Sequence, residues 1–100
     1  MGIQANKSDD GHTVTMQIDG RFDFALHKDF RDAYKDEPES TSFVINMNNS
    51  DYMDSSALGM LLLLREHAGN DEARISIEGC QPAIKQILAI SNFEKLFKIS

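Results

Sequence analysis

Three kinds of residue in this chain could do chemistry: carboxylates near strand ends, a serine pair at a helix start, and a scatter of histidines with one cysteine. Asp23, Asp51 and Asp54 each fall near the end of a strand-like segment, and carboxylates gathered on one sheet edge are what a magnesium site uses. A phospho-aspartate receiver of that kind wants paired acids after its first strand and a lysine after its last. Here the first clear strand ends Gln17-Ile18-Asp19-Gly20 and the strand at 74–78 ends Glu78-Gly79-Cys80, so both parts are missing. Asp54-Ser55-Ser56 stands directly before an apolar run, where a helix N-terminus leaves amide protons unpaired and tolerates added negative charge. The same three residues also suit a plain helix cap. His12, His27 and His67 fall on polar positions or helix ends, where a surface histidine is the ordinary reading. Cys80 has no second cysteine to pair with and reads as a small, half-buried thiol. No His-Glu-x-x-His, Gly-x-Ser-x-Gly or phosphate-cradling Gly-rich loop occurs, so the corresponding enzyme classes lack their parts.

The elements that must position these residues follow from patterning. Residues 13–19 alternate, with Val14, Met16 and Ile18 on one face, which predicts a half-buried strand. The turn signal Ser8-Asp9-Asp10-Gly11 lets Ile3–Lys7 pair back on it as an edge strand. Leu26, Phe30, Ala33 and Tyr34 recur at helical spacing and predict an amphipathic helix that stops near Glu37-Pro38. Phe43–Met47 is a nearly continuous apolar run, the pattern of a central strand buried on both faces. A second helix is expected from Asp54 to His67, apolar nearly all round, with Leu61 to Leu64 as core and Gly69-Asn70 as its stop. Arg74–Glu78 alternates as a strand, Pro82 opens a third helix carrying Ile84, Ile87 and Leu88, and Phe93, Leu96, Phe97 and Ile99 close the core. The fold class is therefore α/β, one domain over residues 1–100, with a mixed, partly parallel sheet of about four to five strands and helices packed largely on one face.

Bulk properties narrow the partners. With 100 residues and 41% hydrophobic content the chain closes one modest core. Its formal charge of −6 gives no electrostatic reason to bind nucleic acid or an anionic lipid surface. The apolar run 57–64 falls far short of the roughly 20 residues of a spanning helix, so no membrane insertion is expected. The first residues lack the apolar core of a signal peptide, and the lone cysteine fits a reducing compartment; the expected location is the cytoplasm.

Residues 43–64 carry a more specific pattern: a buried strand, a short loop ending in Asp54-Ser55-Ser56, then the Gly59-containing apolar helix. This resembles the hallmark of the STAS domain family. Gly20-Arg21-Phe22-Asp23 is similar to that family's Gly-x-hydrophobic-Asp turn, and Leu96-Phe97-Lys98-Ile99 to its C-terminal close, so the likeness spans essentially the whole chain. The chain resembles in particular the bacterial anti-sigma factor antagonists, or anti-anti-sigma factors. That resemblance implies phosphorylation at Ser56, with Ser55 as the silent neighbour, and a partner-binding face of Asp23, Phe24, Asp54, Ser55, Ser56, Ala57 and Met60. It implies no catalytic residue, no metal and no cofactor. Asn46, Ala57 and Asn92 depart from the common pattern, where Asp, Gly and Gly are frequent, and none removes the acceptor hydroxyl.

By the same resemblance the chain is expected to be a partner switch with no turnover of its own. Unphosphorylated, it would bind an anti-sigma factor that is also a serine kinase with a histidine-kinase-like ATPase domain, freeing the sigma factor. Phosphorylation would break that complex, and a metal-dependent serine/threonine phosphatase would restore it. One alternative keeps the fold as a STAS scaffold regulating another signalling enzyme or complex. The other is a receiver-like, magnesium-dependent domain using Asp23, Asp51 and Asp54.

Overall fold

The computed structural model describes residues 2–100. Alternation builds the first two strands, β1 (Gly2–Lys7) and β2 (Thr13–Phe22), which pair antiparallel across the Ser8–Gly11 turn with Ile3 opposite Ile18. After a short 3-10 turn at Phe24–Leu26 comes α1 (His27–Tyr34), which buries Phe30 and Tyr34. It ends three residues before the expected Glu37, whose backbone N–H instead closes a turn onto the Tyr34 carbonyl at 2.9 Å. β3 (Ser42–Met53), α2 (Ser55–His67), β4 (Ile75–Glu78), α3 (Pro82–Ile90) and the short β5 (Lys98–Ile99) follow.

The five strands lie in the order β1-β2-β3-β4-β5, with every neighbour after the first pair parallel. Each parallel crossover steps the same way along the sheet, and crossovers are right-handed, so the helices all land on one face. The expected α/β mixed sheet with one-sided helices is what the chain adopts. The core lies between: Val14, Met16, Ile18, Phe43, Ile45, Met47, Ile75 and Ile77 from the sheet meet Phe30, Tyr34, Leu61, Leu64, Ile84 and Leu88 from the helices.

Two differences from the sequence reading have the same origin. β3 is not buried on both faces: Phe43, Ile45 and Met47 are buried, whereas Val44 and Asn46 are half-buried on the face the helices leave open. Nor is 48–53 a loop. Because β2 itself continues to Phe22, β3 stays paired with it through two register shifts, and the buried Ser50 hydroxyl donates to the Gly20 carbonyl at 2.8 Å. At the next boundary Gly79, at φ +71°, lies so close to the Asn48 side chain that a Cβ there would collide with it. The positive φ favours glycine, and any larger residue would have to push the Asn48 side chain aside.

Candidate functional site

Phe22 and Met53 are paired residues at the ends of neighbouring parallel strands, so the next residues, Asp23 and Asp54, leave the sheet side by side at one edge. The Asp54 N–H also reaches the Phe22 carbonyl at 3.4 Å, tying the two turns together. Each aspartate then does the same local job. Asp23 Oδ1 accepts from the Ala25 N–H at 3.0 Å to cap the 3-10 turn, and Asp54 Oδ1 accepts from the Ala57 N–H at 3.0 Å to cap α2. An extended backbone at Asp54, φ −114° and ψ −177°, gives its side chain this reach.

Capping fixes the serine pair. Ser55 and Ser56 are the first two residues of α2; Ser55 is exposed and Ser56 is half-buried, so the latter's hydroxyl is not sealed in the core. Across the gap Phe24 is 66% exposed, and its ring stacks on His27 with centroids 5.2 Å apart. An exposed aromatic ring is the kind of side chain that anchors protein–protein contacts. Asp23, Phe24, Asp54, Ser55 and Ser56 are thus brought to one edge. Ala57 and Met60 leave the candidate face: they are 0% and 4% exposed, and their side chains turn inward because α2 packs its 57/60/61/64 stripe onto the sheet.

Several contributors were not visible in the sequence. Arg21 pairs with Asp23, Nε to Oδ2 at 3.3 Å, and its guanidinium lies 3.7 Å above the Tyr52 ring. That contact exists because Arg21 and Tyr52 are register partners on adjacent strands, and it tempers the negative charge of the edge. Leu62 and Leu63, expected in the core, are 43% and 51% exposed. Only Leu61 and Leu64 of that run point inward, and because the helix is apolar nearly all round its periodicity does not tell them from Leu62 and Leu63. Leu63 also borders a shallow cavity of about 310 Å³ with Arg31, Tyr34, Lys35, Glu66 and His67. Asp51 is exposed in β3, and among the described residues no group of three or more His, Cys, Asp or Glu side chains is placed to hold a metal ion.

With this geometry in place, comparison with known proteins gives a consistent result. A family model described as Mlab, STAS domain, matches residues 5–98. A STAS-domain containing protein of Pseudomonas aeruginosa (strain UCBPP-PA14) is 56% identical over 101 residues, covering 100% of both chains. Among solved structures, the anti-sigma factor antagonist SpoIIAA in its unphosphorylated form is similar at TM-score 0.83 and 16% identity, over 99% of this chain and 88% of that one. The phosphorylated form of the Bacillus cell fate determinant SpoIIAA gives 0.76 and 16%, over 99% and 91%. An anti-sigma factor antagonist from Mycobacterium paratuberculosis gives 0.79 and 19%, over 97% and 82%. At these identities the structures establish a shared fold.

Proposed function

This chain belongs to the STAS domain family, and from that footing we propose that it is a cytoplasmic anti-sigma factor antagonist whose binding is switched by phosphorylation of Ser56. The observation that carries the reading is the half-buried Ser56 on the first turn of α2, two residues after Asp54, at the paired strand ends that Asp23 and the exposed Phe24 also follow. In the unphosphorylated state the partner is an anti-sigma factor that is also a serine kinase with a histidine-kinase-like ATPase domain. Docking against Phe24 and the α2 N-terminus occupies that protein and releases the sigma factor.

The switch follows from charge. A phosphate adds about −1.5 to −2 at neutral pH, next to two carboxylates and in the middle of the contact. A partner fitted to a neutral hydroxyl then meets added bulk and repulsion, and each 1.4 kcal/mol lost is about a tenfold drop in affinity. The fold itself is spared, since the first turn of a helix offers unpaired amides and the positive end of its dipole. The two solved forms of SpoIIAA, phosphorylated and unphosphorylated, both share this fold, which supports a scaffold that tolerates the modification. A metal-dependent serine/threonine phosphatase resets the switch, and the chain itself performs no turnover.

The test is capture from the producing cell with Ser56→Ala, Ser56→Asp and Ser55→Ala variants. Ser56→Ala and Ser55→Ala are expected to retain an ATPase-domain kinase that also binds a sigma factor and Ser56→Asp to lose it at least tenfold, while both Ser56 variants abolish phosphate transfer and Ser55→Ala leaves it intact. Retention of the same partner by Ser56→Asp would overturn the switch. A retained partner with no sigma factor link would make the domain a scaffold for another signalling complex.

A further inference from the structure

We propose that the open face of the sheet, remote from the phosphorylation edge, carries a binding site for a small amphipathic anion gripped by Arg74 and Lys98. Register brings the two cations together. Thr15, Val44, Ser76 and Lys98 form one cross-strand row through the pairs Thr15–Val44, Val44–Ser76 and Ser76–Lys98. Thr13 pairs with Ser42 in the next row, and Arg74, one residue before the Phe43–Ile75 pair, continues it, its carbonyl accepting from the Phe43 N–H at 2.8 Å. Strand rise and spacing place the Arg74 and Lys98 backbones about 8 Å apart, within reach of one anionic group for two such long side chains.

Both cations are free to act. Neither belongs to an ion pair among the described residues, whereas Lys7, Arg21, Lys28, Lys35 and Arg65 each have a carboxylate partner. In a chain of formal charge −6 these two cations carry no ion pair, although Arg74 also lines a neighbouring cavity with Glu39 and Glu72. Arg74 and Lys98 border a cavity of about 390 Å³ on this face, within the range of small-molecule sites, whose lining includes the hydroxyl residues Thr13, Ser42 and Ser76 and the half-buried Val44 and Leu96. The acid on the same face of β4, Glu78, lies one row away toward the other end and accepts from Ser76 Oγ at 3.4 Å. Cations and hydroxyls suit a carboxylate or phosphate head, and Val44 with Leu96 suits a short apolar tail. The two unpaired cations select the charged head and the apolar lining holds the tail, so both parts of the ligand are needed.

The experiment is an amide NMR titration of the full chain with octyl phosphate, octanoate, octanol and inorganic phosphate. Saturable shifts centred on residues 13–15, 42–44, 74–76 and 96–98 are expected with at least one of the two anionic amphiphiles, and which of them binds tells a phosphate head from a carboxylate. Octanol and inorganic phosphate are expected to bind at least tenfold more weakly than that amphiphile. The paired variant R74Q/K98Q should weaken binding at least tenfold while its circular dichroism stays that of the parent. No saturable shift with either anion, shifts centred elsewhere, octanol or inorganic phosphate binding as tightly, or undiminished affinity in the paired variant would each overturn the proposal.

Discussion

At the scale of single residues, Asp19 shows how a carboxylate can be tuned by neighbours that carry no charge. Gln17 Nε2 and Asn49 Nδ2 both donate to Asp19 Oδ1 at 3.1 Å, and these bonds, Gln17's first, hold its carboxyl below the ordinary 3.8. Hydrogen bonds to the charged form favour that form. A folded value below the unfolded one means that the stabilisation is fully present above pH 3.8 and is lost as pH falls through the lower folded value. A carboxyl-detected NMR titration should find the Asp19 midpoint below 3.8, and Asn49→Ala should move it upward; an unmoved midpoint would show that Asn49 does not contribute. Gln17 and Asp19 are two apart in sequence, so that bond was legible in the alternation of β2, but the Asn49 bond spans 30 residues and depends on a strand register that patterning did not give. The position of Ser56 at a helix start was legible for the opposite reason, because helix N-terminal chemistry is local, whereas its expected role came from the family resemblance.

At the scale of elements, α2 divides an unbroken leucine run between two tasks. Leu61 and Leu64 are 0% exposed, while Leu62 and Leu63 lie on the solvent side of the helical layer. Truncating a buried leucine removes packing and leaves a cavity, so Leu61→Ala should cost about 2–5 kcal/mol in urea unfolding. Leu63→Ser should change stability by less than about 0.5 kcal/mol. Equal destabilisation by the two changes would contradict the orientation of the helix. Composition alone could not sort the run, since four consecutive leucines read as core until the buried Ala57, Met60, Leu61 and Leu64 stripe fixes which way the helix faces.

At the scale of the whole molecule, the core and the proposed switch are separable. The core lies between one face of the sheet and the helices, and Ser56, the proposed phosphate acceptor, sits at the strand ends on a capped helix start. Phosphorylated protein is therefore expected to melt within about 4 °C of the unmodified form, the shift that roughly 1 kcal/mol produces in a domain of this size. Its amide spectrum should change mainly around residues 22–27 and 50–60. A molten spectrum or a larger fall in Tm would mean that the phosphate acts by unfolding the domain rather than by repelling a partner.

Local chemistry was enough for the sequence to specify the order of strands and helices, the Asp54 cap with its serine pair, and the family pattern around it, because each depends on residues within a few turns of one another. The contacts of Arg21 with Asp23 and Tyr52, the division of the leucine run, and the open polar face beside Arg74 and Lys98 were decided only in three dimensions. Each depends on strand register or on which face the right-handed crossovers cover, and these are set by pairings between segments far apart in the chain.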